Sequence, residues 1–268
     1  MQEEAPPSLA RGSLCAVGIG IRAPLQTTNE AAARIERADK VFSLVADPVA
    51  ELWLTGLNAG TESLSDLYRT GVERSRTYEA MVRRILDAVR SGLRVCVVSY
   101  GHPGIAAYPM HESVRRARAE GFAAEMLAAV SAEDCLFADV GIDPVHGGCR
   151  SYEATDFLVF GRAADPAGNL VLWQIGAIAE LSYQTHRGAW NPHGLEVLTG
   201  VLLQTYPPDH EVVVYEAARF ASCMPKILRL PLRDLAQADV TPLSTLFVPP
   251  CERAAVDETM LQRLGMHP

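Results

Sequence analysis

Tyr68, Arg74 and Tyr78 follow the spacing Tyr-x5-Arg-x3-Tyr, and these residue types could handle charge on an oxygen atom. Tyr78, Met81, Val82, Ile85, Leu86 and Val89 recur at i, i+3, i+4 and i+7, which predicts an amphipathic helix within 68–94. One turn back along the same stripe stands Arg74, although a guanidinium is costly to bury unless it is paired. Arg76 and Arg83 fall off the stripe and read as solvated side chains. Tyr68 precedes Thr70-Gly71, and a loop folding back there would set its phenol beside Arg74 and Tyr78. Two phenols around a fixed cation would bind and stabilise an oxyanion. The cation also favours phenolate, which would let either tyrosine act as a general base. On spacing alone the better fit is an ordinary amphipathic helix whose tyrosines belong to the core and whose Arg74 reaches back to water.

Two glycine-containing loops are the other chemical candidates. Gly18-Ile19-Gly20-Ile21-Arg22-Ala23 follows an apolar run and fits Gly-x-Gly-x-x-Gly/Ala, the loose form of a dinucleotide loop. Pro24 argues against that use, because no helix runs unbroken from Ile21 through it. Asp47 could mimic the ribose-binding acid of such a site, but Pro48 follows it and nothing else there supports the role. The stretch 99–109, rich in Gly and Pro, follows a second apolar run; loops at the carboxyl ends of strands are where open α/β sheets take small ligands. It lacks the Gly-Lys ending of a phosphate-cradling loop. The six cysteines form no Cys-x-x-Cys pair and the seven histidines are scattered, so no metal site is expected. Cys15, Cys96 and Cys135 stand in apolar runs and read as small core residues.

These candidates need a parallel sheet to hold them. The runs 13–18 and 40–45 read as buried strands around a helix at 29–38 capped by Asn29, the strand-helix-strand signature. Further strands are expected at 94–99, 122–127, 151–160, 169–175, 211–216 and 246–248, with helices at 110–120 and 194–205. At roughly 150 residues per domain, 268 residues suggest one large or two modest domains. The pattern changes around 127–150, which divides the chain into 12–127, 128–250 and a short polar tail, 251–268. A 49% hydrophobic chain with net charge −8 is expected to fold around a real core and to be a poor general binder of nucleic acid. No apolar run is long enough to span a membrane. The acidic start Met1-Gln2-Glu3-Glu4-Ala5-Pro6-Pro7 lacks the blocks of a secretory signal, so a cytoplasmic protein is expected.

Taken in order, several of these residues resemble a known superfamily. Val17-Gly18-Ile19-Gly20, Gly101-His102-Pro103-Gly104 and Ser131-Ala132-Glu133-Asp134 resemble the tetrapyrrole (corrin/porphyrin) methylases. Within that superfamily the chain resembles the borosin peptide backbone α-N-methyltransferases. The similarity runs from about 12 to 250, through Phe42-Ser43-Leu44, 137–144, Leu172-Trp173-Gln174-Ile175 and Val214-Tyr215-Glu216-Ala217. It implies a two-domain α/β fold with S-adenosylmethionine bound in the cleft between the domains and S-adenosylhomocysteine as product. It also implies that Tyr68, Arg74 and Tyr78 surround the substrate amide and that Tyr100 stands between substrate and methyl donor. His102, Pro103, Ile105, Ser131, Ala132, Gln174, Tyr215, Ala217, Ser244 and Thr245 match cofactor-lining positions. Two departures stand out: Ala128-Ala129-Val130 replaces the usual Pro-Gly-Ile, and His102 stands where tetrapyrrole members carry Asp. His102 therefore favours the peptide-modifying branch over a tetrapyrrole methyltransferase; a binding module without turnover is the remaining alternative. Founding borosins carry their substrate as a C-terminal extension, whereas this sequence ends at Gly265-Met266-His267-Pro268. The resemblance thus implies a split enzyme acting on a separate precursor peptide, as a homodimer or a heterotetramer with two precursor chains.

Overall fold

The computed structural model describes residues 12–45, 47–186 and 188–266, and the N-terminal stretch read above lies outside them. By their contacts the residues form two units: the chain to Asp139 with Leu181–Thr185 and Ala217–Pro225, and the remainder. The second segment of the chain thus returns to the first unit twice, where the sequence reading expected a single crossing at 127.

In the first unit, strands β1 (Ser13–Gly18), β2 (Lys40–Leu44), β3 (Thr61–Ser63), β4 (Arg94–Ser99) and β5 (Ala123–Met126) form a sheet in the order β3-β2-β4-β1-β5. Every pairing is parallel. Both faces are covered, which is why the strands read as near-continuous apolar runs. Helices α1 (Asn29–Arg37) and α2 (Pro48–Leu57) bury Ala31, Ile35, Ala50 and Leu54 against Val17, Val41 and Val98. On the other face α3 (Arg74–Arg90) and α4 (Tyr108–Ala119) bury Met81, Ile85, Met110 and Ala117 against Leu14, Phe42 and Val97. The connection leaving β1 runs over one face and that leaving β4 over the other, so the carboxyl ends of these neighbouring strands form a topological switch point. Helix α5 (Ala132–Val140) closes this unit.

The second unit is a sheet of β6 (Cys149–Glu153), β7 (Asn169–Trp173), β8 (Glu211–Glu216), β9 (Lys226–Pro231) and β10 (Thr245–Val248), in the order β6-β7-β10-β8-β9. Only β6–β7 is parallel. Its core joins Leu170, Leu172, Val212, Val214, Leu246 and Val248 to Phe157 of α6 (Ala154–Val159) and to Leu195, Leu198 and Leu202 of α7 (Pro192–Leu202).

Several local expectations are corrected. The expected strand at 151–160 is β6 followed directly by α6: the Glu153 side chain accepts from the Asp156 amide and starts a helix whose Ala154 and Phe157 face the core. Thr28 rather than Asn29 caps α1, accepting from the Ala31 amide. The expected tail contains α8 (Glu258–Arg263), capped by Asp257, and the Cys251 amide bonds to the Pro166 carbonyl. Among the described residues no helix is long and apolar enough to cross a membrane.

Candidate functional site

Helix α3 begins at Arg74, and the turn before it carries Tyr68. A short 3-10 helix, Ser65–Leu67, ends there, with the Tyr68 amide bonded to the Ser65 carbonyl. Arg84 holds this turn to α3, forking onto Asp66 at 2.9 and 3.0 Å and reaching Glu62 at 3.2 Å. Gly71 takes a left-handed φ of +77° in the link to the helix. No side chain caps α3. Its start is instead tied by main chain to 181–183: Gly71 N–H donates to the Tyr183 carbonyl, Tyr183 N–H to Val72, and Arg74 N–H to Leu181.

The expected fold-back is observed. The rings of Tyr68 and Tyr78 meet edge to face with centroids 6.4 Å apart. Two further tyrosines, which the sequence spacing does not announce, extend the group: Tyr183 lies over Tyr68 at 4.7 Å, and Tyr108 stacks on Tyr78 at 6.2 Å. Tyr68 and Tyr78 pack their apolar parts on the α3–α4 layer and are half-buried. Burial pushes the Tyr68 phenol well above its ordinary value, reinforced by the charge and hydrogen bond of Tyr78 and opposed by the Arg74 guanidinium. Tyr68 therefore stays a protonated donor near neutral pH, with a cation close enough to act on its charge.

Tyr100 follows β4, its amide bonded to the Leu44 carbonyl, and it packs on the α1–α2 layer, opposite to that of Tyr68 and Tyr78. The loops after β1 and β4 meet at the switch point, where Gly20 and Gly101 form a bridge with the Gly101 amide 3.0 Å from the Gly20 carbonyl. A Cβ on Gly18 would lie 2.1 Å from the Gly101 carbonyl and 2.8 Å from Pro103, so glycine there is a packing requirement. Gln26 Oε1 accepts from both Ile21 N–H and Arg22 N–H at 2.9 Å. The donors a dinucleotide loop would present to phosphate are taken by Gln26, and Asp47 caps α2 by accepting from Val49 N–H. In the second loop His102 Nδ1 accepts from Gly104 N–H, Pro103 is buried and Ile105 is exposed. Ser131 accepts from Asp134 N–H while its own hydroxyl and amide bond to the Asp134 carboxylate, a reciprocal cap before Ala132. At the carboxyl edge of the sheet, the buried hydroxyls of Ser43 and Ser99 have no hydrogen-bond partner among the described residues.

In the second unit, Tyr215 and Thr245 stand opposite each other on β8 and β10, both buried, on the face away from α7. Gln174, just after β7, adopts φ +58°, a left-handed conformation uncommon outside glycine. Ile175 N–H then bonds to the Ser244 carbonyl, and a Cβ on Gly176 would lie 2.2 Å from the Thr241 carbonyl. The Ser244 hydroxyl donates to Glu216 Oε1 at 2.5 Å and accepts from Thr241 N–H, while Thr241 Oγ1 donates to the same carboxylate oxygen. Glu216 is thus the hub that joins the end of β8 to the entry of β10, a role that the run Val214-Tyr215-Glu216-Ala217 does not announce. Ala217 begins the segment grouped with the first unit.

The model of the Tetrapyrrole (Corrin/Porphyrin) Methylases matches residues 13–236. A methyltransferase and type III borosin cyclic peptide precursor of Anomoporia bombycina is 40% identical over 97% of this chain and 30% of its own length. A gymnopeptide precursor methyltransferase of Gymnopus fusipes is 38% identical over 95% of this chain and 61% of its own. The omphalotin A precursor methyltransferase of Omphalotus olearius gives 38%, 96% and 62%. The chain therefore spans between a third and two thirds, roughly, of the length of these curated relatives. Among solved structures, a uroporphyrin-III-C-methyltransferase of Thermus thermophilus superposes with a TM-score of 0.63 at 19% identity, covering 90% of this chain and 93% of that one. A diphthine synthase gives 0.62 at 16%, covering 90% and 91%. These two likenesses concern the fold.

Proposed function

The chain belongs to the tetrapyrrole (corrin/porphyrin) methylase family, and from that premise we propose that it is an S-adenosylmethionine-dependent methyltransferase acting on backbone amide nitrogens of a ribosomal precursor peptide, as in borosin biosynthesis. The observation that carries this reading is the pairing of Tyr68 with Tyr78 under the influence of the Arg74 charge. The relatives named as borosin precursors and methyltransferases support the substrate class.

A peptide nitrogen is a poor nucleophile because its lone pair is delocalised into the carbonyl. Methylating it requires removal of the N–H proton and a place for the charge that then moves onto oxygen. Tyr68, held protonated by burial and by Tyr78, donates to that oxygen. Arg74 adds a fixed positive charge, and the Tyr78 oxygen is the acceptor assigned to the amide proton. When bound, S-adenosylmethionine supplies an electrophilic methyl group on a sulfonium. The chain's fit to such a polar ligand rests on the orphaned hydroxyl of Ser99, which ends β4 at the switch point, with that of Ser43 near the end of the neighbouring β2. Tyr100, His102, Pro103 and Ile105, together with Gln174, Tyr215, Ser244 and Thr245, are the residues that the family resemblance proposes for it. Ser131 and Ala132 act through the capped start of α5, and Ala217 through its place after Glu216. The reading carries a homodimer that takes one precursor chain per protomer, which sedimentation with and without peptide checks.

The deciding experiment supplies a borosin-type precursor as a separate chain together with S-adenosylmethionine. Mass spectrometry should show additions of about 14 Da on backbone nitrogens, with Arg74→Ala and Tyr78→Phe each slower by about a hundredfold or more. Equal rates in wild type and both variants, or methylation of a porphyrinoid and not of peptide, would sink the assignment.

A further inference from the structure

Tyr68 sits at the end of a three-residue 3-10 turn and ahead of a link without regular structure, a poor place from which to hold a phenol in fixed geometry. Arg84 pins the turn through Asp66 and Tyr78 meets the ring edge-on, which leaves the face of the Tyr68 ring to be held from outside that stretch. The segment Leu181–Thr185, remote in sequence, is grouped with this unit and pairs antiparallel with the link through the Gly71, Val72 and Arg74 main chain and a bridge between Glu73 and Ser182. Leu181 is 65% exposed, so the segment is not there to bury that side chain. Its large ring, Tyr183, lies instead over Tyr68 at 4.7 Å with the planes tilted by 31°, while Tyr78 meets Tyr68 edge-on.

We propose that Tyr183 is a positioning residue for the transfer reaction: it acts on the reacting atoms only through Tyr68, whose ring it clamps between itself and Tyr78. The proposal rests on the peptide-methylation reading above. The main-chain pairing belongs to the backbone, so shortening the side chain at 183 leaves it in place while taking the ring away from Tyr68.

Tyr183→Ala should lower kcat for peptide methylation by about ten- to a hundredfold, while KM for the peptide and Kd for S-adenosylmethionine stay within about threefold. Tyr183→Phe, which keeps the stacked ring, should recover most of the rate. In a Tyr68→Ala background, removing Tyr183 should cost nothing further, because its action passes through a ring no longer present. Thermal unfolding monitors whether the variants remain folded; if Tyr183→Ala does not fold, Tyr183→Leu keeps the bulk without the stacked plane and is read by the same criteria. A normal kcat in the Ala or Leu variant overturns the proposal. So does a change in peptide KM alone, which would mark a substrate contact, or a Phe variant as slow as Ala. If the wild-type protein binds S-adenosylmethionine but leaves the peptide unmodified, the peptide reading itself fails and the proposal falls with it.

Discussion

Ser131 shows how one side chain can satisfy two readings of its position. Its resemblance to cofactor-lining residues directs attention to its hydroxyl, yet that hydroxyl is 2.7 Å from the Asp134 carboxylate and accepts from the Asp134 amide. Ser131→Ala should therefore cost about 1 kcal/mol of stability, read as a lower denaturant midpoint, with little change in Kd for S-adenosylmethionine. A large loss of affinity without loss of stability would show that the hydroxyl serves the ligand. Arg74 and Tyr78 stand out at this scale because periodicity places a cation on an otherwise apolar stripe, and Tyr68 because Thr70-Gly71 allows a fold-back; grouping them around a substrate amide came from the family resemblance and not from the spacing. Tyr108, Tyr183 and Glu216 were not, because what singles them out is a partner distant along the chain.

Elements whose apolar residues alternate or recur cleanly read well: β8 and the buried stripe of α3 are found where the pattern puts them. The missed ones are built from other signals. Helix α2 begins at an Asp47-Pro48 cap, which reads as easily as a turn, and β9 is an edge strand whose Ile227, Leu228 and Arg229 are exposed, so no buried face prints a period. Between elements, carboxylate–arginine pairs tie the helical layer and the strand ends together. Asp39 before β2 is held by Arg94 at the start of β4, and within α4 Glu112 is gripped by Arg115 and Arg116, the latter reaching on to Glu79 of α3; their hydrogen bonds lower Glu112 and Asp39 from 4.5 and 3.8 to about 2 each. Since the folded chain binds fewer protons than the unfolded one in this range, their stabilisation is complete above the ordinary values and lost as pH falls through about 2. The thermal midpoint should drop from about pH 5 downward, and Glu112→Gln should flatten part of that slope. A midpoint independent of pH over that interval would show that these pairs contribute nothing measurable.

At the scale of the whole molecule, two sheets of opposite character share one chain, and the parallel one carries the Tyr68 cluster. The two-unit architecture could be anticipated from the change in pattern after the first half, but the returns of Leu181–Thr185 and Ala217–Pro225 could not. A short segment without a secondary-structure period leaves no trace of its destination. Replacing Leu181–Thr185 by a Gly/Ser linker of equal length should keep both sheets and the circular-dichroism spectrum, yet abolish most of the proposed peptide methylation. Hydrogen exchange should then quicken at the Gly71 and Arg74 amides, because the flexible linker keeps its carbonyls but not the docked conformation that holds them on these donors. Unchanged protection at both would show that the link is held from elsewhere.

That pairing also has a consequence in time. Synthesis runs from the N-terminus, and strands β1 to β5 have all left the ribosome before Leu181 is added. A nascent chain can thus complete its parallel sheet while the entry to α3 still lacks the main-chain partners of Gly71 and Arg74. The Tyr68 cluster gains its Tyr183 ring only once Leu181–Thr185 arrives, so folding of the first sheet and completion of that cluster are separate events in the life of each molecule.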